Sequence, residues 1–206
     1  VAAFTSGEDI HNATASRVFA VPPDSVTVAQ RSKAKMVSYG LAYGMEAYGL
    51  SQRLNIAVEE AAEILGAYFE AFPNVKDYMD RTVKEARTRG YTETLFGRRR
   101  QIPELQSSNY RIRQAGERQA MNAGIQGLAA DIFKVALVRL DRSLEEAKLA
   151  SRLVLQVHDE VILEVPPEEE EPASDLTLGA MRGACELCVD LEVNLSWGSN
   201  WAEAKG

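Results

Sequence analysis

Forty consecutive residues, 108–147, carry helical periodicity and contain no proline. No other segment restricts the fold as much, because it commits a large share of the chain to one helical stretch. Its weak point is Asn122-Ala123-Gly124, where helix propensity is low. The segments on either side have a different period. YTETLFGRRRQIPEL alternates around Gly97 and predicts a β-hairpin whose tip carries Arg98, Arg99 and Arg100. RLVLQVHDEVILEVP places two apolar runs around a polar HDE, the pattern of a tight hairpin with polar residues at the turn. LEVNLSW, near the end, predicts a last strand.

Ahead of the first hairpin the chain has little strand signal. Periodicity over 9–20 stops at Pro22-Pro23. Thr27 followed by Gln30 matches a capping box, so a helix is expected from near 27 to about 44. Shorter helices are expected at about 46–54, 57–71 and 74–89, with Pro73 and Gly90 as breaks. EEEE at 168–171 reads as the solvated start of a further helix, favoured there by the helix dipole. There is no internal repeat or low-complexity linker.

A chain of 206 residues can bury a sizeable core and falls between one domain and two. No apolar run approaches the length needed to span a bilayer, and VAAFTSGED lacks the basic-then-apolar pattern of a signal peptide, so no membrane partner is expected. The first residue is Val rather than Met, which points to a fragment, a processed chain or an excised piece. Cys185 and Cys188 form a single CxxC, half of a zinc site at best, and are expected to be reduced and structural. The formal charge of -7 argues at first against a nucleic-acid partner. However, residues 76–118 hold eleven Lys or Arg against six Asp or Glu, while 159–206 hold two basic and twelve acidic residues. Local field outweighs net charge for a polyanion, so a basic middle and an acidic tail are compatible with nucleic acid on one face.

Three sets of residues can carry chemistry. Arg31, Lys35, Tyr39 and Tyr43 recur every four residues and share one face of a helix. Two cations followed by two phenols suit a ligand that is anionic at one end and planar at the other, as a nucleoside triphosphate is. The same spacing also fits an ordinary amphipathic helix with a basic edge and two tyrosines in the core. His158, Asp159 and Glu160 sit at the turn of an apolar hairpin, where adjacent carboxylates call for a compensating divalent cation or for open water. One hairpin cannot complete a Mg²⁺ site. Arg118, Asn122 and Gln126 form another four-residue series whose donors can reach minor-groove acceptors without demanding a base sequence, or simply face solvent.

Together and in this order, RSKAKMVSYGLAYG, NAGIQGLAADIFK and LVLQVHDEVILEV resemble the later motifs of family A DNA polymerases, the bacterial DNA polymerase I type. DIHNATA, YFEAFPNVKDYM, GYTETLFGRRR and ERQAMNAGIQG match that family's pattern as well, so the resemblance covers essentially the whole chain. It implies an α+β fold, a mainly helical fingers subdomain joined to part of an antiparallel-sheet palm. Residues 1–13 correspond to a residual palm segment, 14–105 to the fingers and 106–206 to the C-terminal palm. Arg31, Lys35 and His11 match side chains that hold the incoming triphosphate. Tyr39 matches the aromatic on the incoming sugar and base, and Tyr43 the tyrosine beside the templating position. Arg118, Asn122, Gln126 and His158 match contacts to primer and template. Asp159 matches an invariant metal ligand, with Glu160 a secondary carboxylate. The implied reaction is template-directed DNA synthesis, the attack of a primer 3′-hydroxyl on the α-phosphate of a dNTP held by two Mg²⁺, with Lys35 also a candidate acid for the departing pyrophosphate. The implied setting is the cytoplasm of a bacterium, in association with the nucleoid.

The chain also departs from that pattern. A strand ending in DYSQIELR, with the family's other metal-binding Asp, does not occur in it, nor do the thumb and exonuclease regions. The chain alone is therefore expected not to polymerise DNA and to need the missing N-terminal portion in the same or another chain. Tyr39 stands where many members have Phe, which predicts weak discrimination against dideoxynucleotides. Gly124 and Leu128 replace residues that are usually Pro and a small hydroxylic residue. Two rival readings are a non-catalytic nucleic-acid binding module, for which the basic middle suffices, and an HD-type metal phosphohydrolase suggested by His158-Asp159.

Overall fold

A computed structural model describes residues 2–42 and 44–205. The chain forms two compact units, Val1–Leu128 and Ala129–Gly206. In the first, α1 (Ala2–Thr5) leads to α2 (Ile10–Val18), whose N-terminus is capped by Asp9. The Asp9 Oδ1 accepts from the backbone N–H groups of His11 and Asn12 at 2.9 and 3.0 Å, satisfying donors that a helix start leaves open. The expected capping box opens α3 (Val28–Ala42): the Gln30 N–H donates to Thr27 Oγ1 at 3.2 Å, and the Thr27 N–H donates to Gln30 Oε1 at 2.9 Å. Three helices follow close to their expected bounds, α4 (Ala47–Leu54), α5 (Val58–Ala71) and α6 (Pro73–Arg89). Pro73 starts α6, where its missing N–H costs nothing, and Gly90 ends it in the left-handed region at φ 79°.

These helices bury a shared core of Val18, Val37, Leu41, Leu50, Ala61, Ile64 and Met79. Full burial of a side chain such as Leu50 contributes roughly 1.5–3 kcal/mol. On α3 the buried positions are Ala34, Val37, Gly40 and Leu41, which leaves the side that carries Lys35 and Tyr39 for a ligand.

The first hairpin pairs β1 (Tyr91–Glu93) with β2 (Arg99–Gln101), antiparallel, with Glu93 opposite Arg99. This register corrects the expected tip. The loop is 94–98, centred on Phe96, so only Arg98 belongs to it, while Arg99 and Arg100 stand on the return strand. Arg99 bonds Glu93 at 2.5 Å and lies 4.8 Å from the Tyr91 ring centroid; Arg100 donates to Gln119 at 3.3 Å. In the loop Leu95 and Phe96 are exposed apolar side chains, next to exposed Gly97 and Arg98.

The long helix α7 (Tyr110–Glu146) runs without interruption through Asn122-Ala123-Gly124. Small residues there serve packing: a Cβ on Gly124 would lie 2.8 Å from the Tyr78 hydroxyl, and one on Gly127 would lie 2.7 Å from Thr94 Cγ2. The low propensity is offset by the approach of α6 and the first hairpin.

In the second unit, β3 (Arg152–Val157) and β4 (Glu160–Glu164) form the expected antiparallel hairpin, with a bulge between Leu153 and Leu155. Leu153, Val161 and Leu163 pack with Leu176 against Leu140, Leu144 and Ala180, the last from α8 (Glu170–Arg182). The acidic run is only partly a solvated start. Glu169 accepts from the Ala150 and Ser151 N–H groups, both at 2.8 Å, and from the Ser151 hydroxyl at 2.6 Å, and these bonds hold its carboxyl below the usual range. LEVNLSW forms no strand, because a strand needs a neighbour's edge and this segment pairs with none among the described residues. A short helix, α9 (Trp201–Lys205), follows it. Cys185 and Cys188 are free thiols, half-buried and exposed respectively. Among the described residues no helix is long and apolar enough to cross a membrane.

Candidate functional site

The α3 stripe is a real face. Arg31 is half-buried and Lys35 exposed, and Tyr39 is 50% exposed, which rules out the reading in which Tyr39 is a core residue. Lys35 Nζ lies 5.9 Å from the Tyr39 ring centroid, within cation–π reach. The His11 ring, carried by the first turn of α2, lies 5.8 Å from Tyr39 at 47°. One bound planar or anionic group can therefore meet His11, Lys35 and Tyr39 together. Tyr43 lies outside the described residues.

Arg31 is held by Asp9. Its Nε and Nη2 both donate to Asp9 Oδ2, at 3.0 and 2.6 Å. The Arg31 guanidinium and the two backbone donors hold the Asp9 carboxyl below its usual pKa. His11 behaves in the opposite sense: burial pushes its imidazole down, against the attraction of Asp9, and its Nδ1 is buried without a partner. Neutral His11 can donate or accept at a phosphate oxygen without adding a fixed charge.

On α7, Arg118 and Asn122 are half-buried and Gln126 is exposed. Asn122 Oδ1 is buried and unbonded, as befits a group awaiting a donor. Arg118 also marks a close approach. Gly44 has φ 67°, and a Cβ there would lie 2.9 Å from Arg118 Cβ, so only glycine fits where the chain leaving α3 meets α7.

The β3–β4 turn places His158, Asp159 and Glu160 together in solvent. Val157 pairs with Glu160, leaving a two-residue loop in which His158 takes φ 55°. Its carbonyl accepts from Gln156 Nε2 at 3.0 Å. Glu160 Oε2 is 3.3 Å from Lys205 Nζ on α9. Asp159 and Glu160 offer hard oxygen donors of the kind Mg²⁺ takes, so their chemistry fits such an ion. They are too few to complete a site, and no group of three or more His, Cys, Asp or Glu among the described residues can hold a metal.

Two partners escape a reading of the sequence, Asp9 for Arg31 and Lys205 for Glu160. The pairs are separated by 22 and 45 residues, so no local spacing announces them. Only the helix-capping role of Asp9 has a local signal.

A mainly helical unit and a unit built on a helix-backed hairpin make an α+β fold, as expected. A family model for DNA polymerase family A matches residues 1–203, and the chain belongs to that family. DNA polymerase I of Mycobacterium tuberculosis (strain H37Rv) is 52% identical over 204 residues, covering 99% of this chain and 23% of that protein. DNA polymerase I of Bacillus caldotenax is 48% identical over 203 residues, covering 98% and 23% respectively. The solved POL domain of Pol1 from M. smegmatis, in complex with DNA primer-template and dNTP, is similar with a TM-score of 0.95 at 48% identity, covering 100% of this chain and 36% of that one. The chain thus spans 23% of the length of these curated relatives.

Proposed function

We propose that the chain is the nucleotide-gripping and template-handling part of an enzyme that carries out template-directed DNA synthesis, transferring a nucleotidyl group from a dNTP to a primer 3′-hydroxyl. The observation that carries this reading is the exposed face of Arg31, Lys35 and Tyr39 with His11 beside it, in a chain of this family. Support also comes from the similar POL domain, whose complex contains primer-template and dNTP. Arg31, Lys35 and His11 would hold the triphosphate, Tyr39 would pack on sugar and base, and Tyr43 would lie beside the templating position. Arg118, Asn122, Gln126 and His158 would contact primer and template. In this reading residues 1–13 are a palm segment, 14–105 the fingers and 106–206 the rest of the palm.

Asp159, with Glu160 as a secondary carboxylate, would be the chain's share of a two-Mg²⁺ site. When bound, such ions supply charge stabilisation at the attacking and leaving oxygens. The chain's own contribution is to neutralise and orient the triphosphate and to place a proton: Lys35, at the phosphate end of the stripe, would donate one to the departing pyrophosphate. The 206 residues encode only half of the metal centre, so on their own they would not polymerise. The partners would be primer-template DNA, a dNTP and a polymerase portion carrying the second aspartate, in a bacterial cytoplasm near the nucleoid.

Primer extension tests the reading. The chain alone should add no nucleotide, whereas a polypeptide joining it to a strand that carries the second aspartate should extend a primed template, and Lys35→Arg should slow its single-turnover chemistry. Extension by the chain alone overturns the half-site. A joined protein that binds DNA indifferently to metal and dNTP, and does not extend it, overturns the polymerase reading in favour of a binding module.

A further inference from the structure

The bonds from Arg31 to Asp9 use Nε and Nη2, one edge of the guanidinium fork. The Nη1 edge donates to no described residue and is free for a ligand. Meanwhile Asp9 Oδ1 is fixed by the backbone N–H groups of His11 and Asn12, so the carboxylate ties Arg31 to the first turn of α2, the turn that carries His11. His11 in turn stands beside Tyr39. One carboxylate therefore ties Arg31 to the turn that carries His11.

We propose that Asp9 is a positioning residue for triphosphate binding: it holds one edge of the Arg31 guanidinium at the start of α2 and so presents the other edge, with His11, to the phosphate chain. The inference rests on the reading of the α3 stripe as a nucleotide-gripping face. A carboxylate near a polyanion also repels it, and the balance of the two effects sets the sign. The Asp9 charge is offset by the Arg31 guanidinium, by two N–H donors and by the positive end of α2, so little repulsion is left to relieve. An unheld arginine, by contrast, must be ordered when the ligand binds.

The test is the equilibrium binding of inorganic tripolyphosphate and of dATP to the 206-residue chain, for wild type, Asp9→Asn, Arg31→Ala and the double variant. Asn caps a helix about as well as Asp, so Asp9→Asn removes the ion pair and keeps α2; Asp9→Ser, a second neutral cap, should repeat its result, with both variants still folding cooperatively. Both neutral caps should weaken binding by about three- to tenfold. In the Arg31→Ala background, Asp9→Asn should have no further effect, which a merely structural role would not produce. If Arg31→Ala weakens binding but the neutral caps bind as wild type or tighter, or if the two changes are additive, the inference falls and the stripe reading stands. If wild type binds neither probe, or Arg31→Ala binds as wild type, both fall.

Discussion

The α3 stripe is arranged by its own helix, whereas the β3–β4 turn holds its carboxylates in open solvent with one distant lysine for company. On α3, a spacing of four residues suffices to align Arg31, Lys35 and Tyr39, because helix geometry is local. On the turn, adjacency brings Asp159 and Glu160 together but supplies no third protein ligand, and Mg²⁺ takes the rest of its oxygens from other groups, such as waters and substrate phosphates. The proposed binding face is thus mostly laid out on one element, with His11 and Asp9 added from α2, while the proposed metal centre needs groups beyond its turn. The same chain encodes the first more fully than the second.

The largest effect should come from the turn. In a polypeptide that joins this chain to a strand with the second aspartate, Asp159→Asn should lower single-turnover nucleotide addition by about a thousandfold or more, since metal-borne charge stabilisation is worth several kcal/mol. The affinity of the chain alone for tripolyphosphate should not change. A variant that loses affinity but keeps its chemistry would reverse the assignment of roles to stripe and turn.

Gly44→Ala probes the support of the stripe. The new Cβ would meet Arg118 Cβ at 2.9 Å and Arg118 Cα at 3.2 Å, at φ 67°. Left-handed strain and overpacking together should cost about 2–4 kcal/mol in a denaturant titration. A cost near zero would mean that α3 and its exit do not depend on α7, and that the stripe is even more self-contained than it looks.

What could be read in the sequence divides along the same line. The capping box at Thr27 and Gln30, the helix start at Pro73 and the stop at Gly90 are local and form where expected. The hairpin tip is not local in this sense, because register depends on loop length: five residues, 94–98, turn the chain, so Arg99 and Arg100 stand on β2. LEVNLSW has the alternation of a strand, yet alternation describes only one side of a pairing and a second edge must be present. Asn122-Ala123-Gly124 reads as a weak point by propensity and proves to be a contact surface, because what offsets its cost is contributed by Tyr78, which packs on Gly124. Of the candidate site, Arg31, Lys35, Tyr39 and the HDE turn were legible, but the partners Asp9 and Lys205 were not, for they meet their targets through the fold alone.

His158→Gly measures strain at the turn. A histidine at φ 55° pays a left-handed penalty that glycine avoids, while glycine loses more chain entropy on folding. The net should be a stabilisation of up to about 1 kcal/mol, read from the denaturation midpoint, together with weaker primer-template binding in the joined protein. A destabilised hairpin would show that the imidazole holds the turn, making it a supported site like the stripe.

The smallest effect separates the two halves of the stripe's own support. Burial holds the His11 pKa below its unfolded value of about 6.5, so in the window beneath 6.5 the unfolded chain binds the proton more readily. Stability from neutral His11 is therefore complete above about pH 6.5 and declines as pH falls through that value toward the folded pKa. Asp9, whose pKa is also depressed, contributes fully above about 3.9 and loses its share only as pH falls below that. Unfolding free energy measured between pH 8 and 5 should thus show a decline that His11→Asn removes and Asp9→Asn leaves in place. If Asp9→Asn removes it as well, the imidazole and the Arg31 tether are one coupled unit, and the self-containment of the stripe resides in α2 as much as in α3.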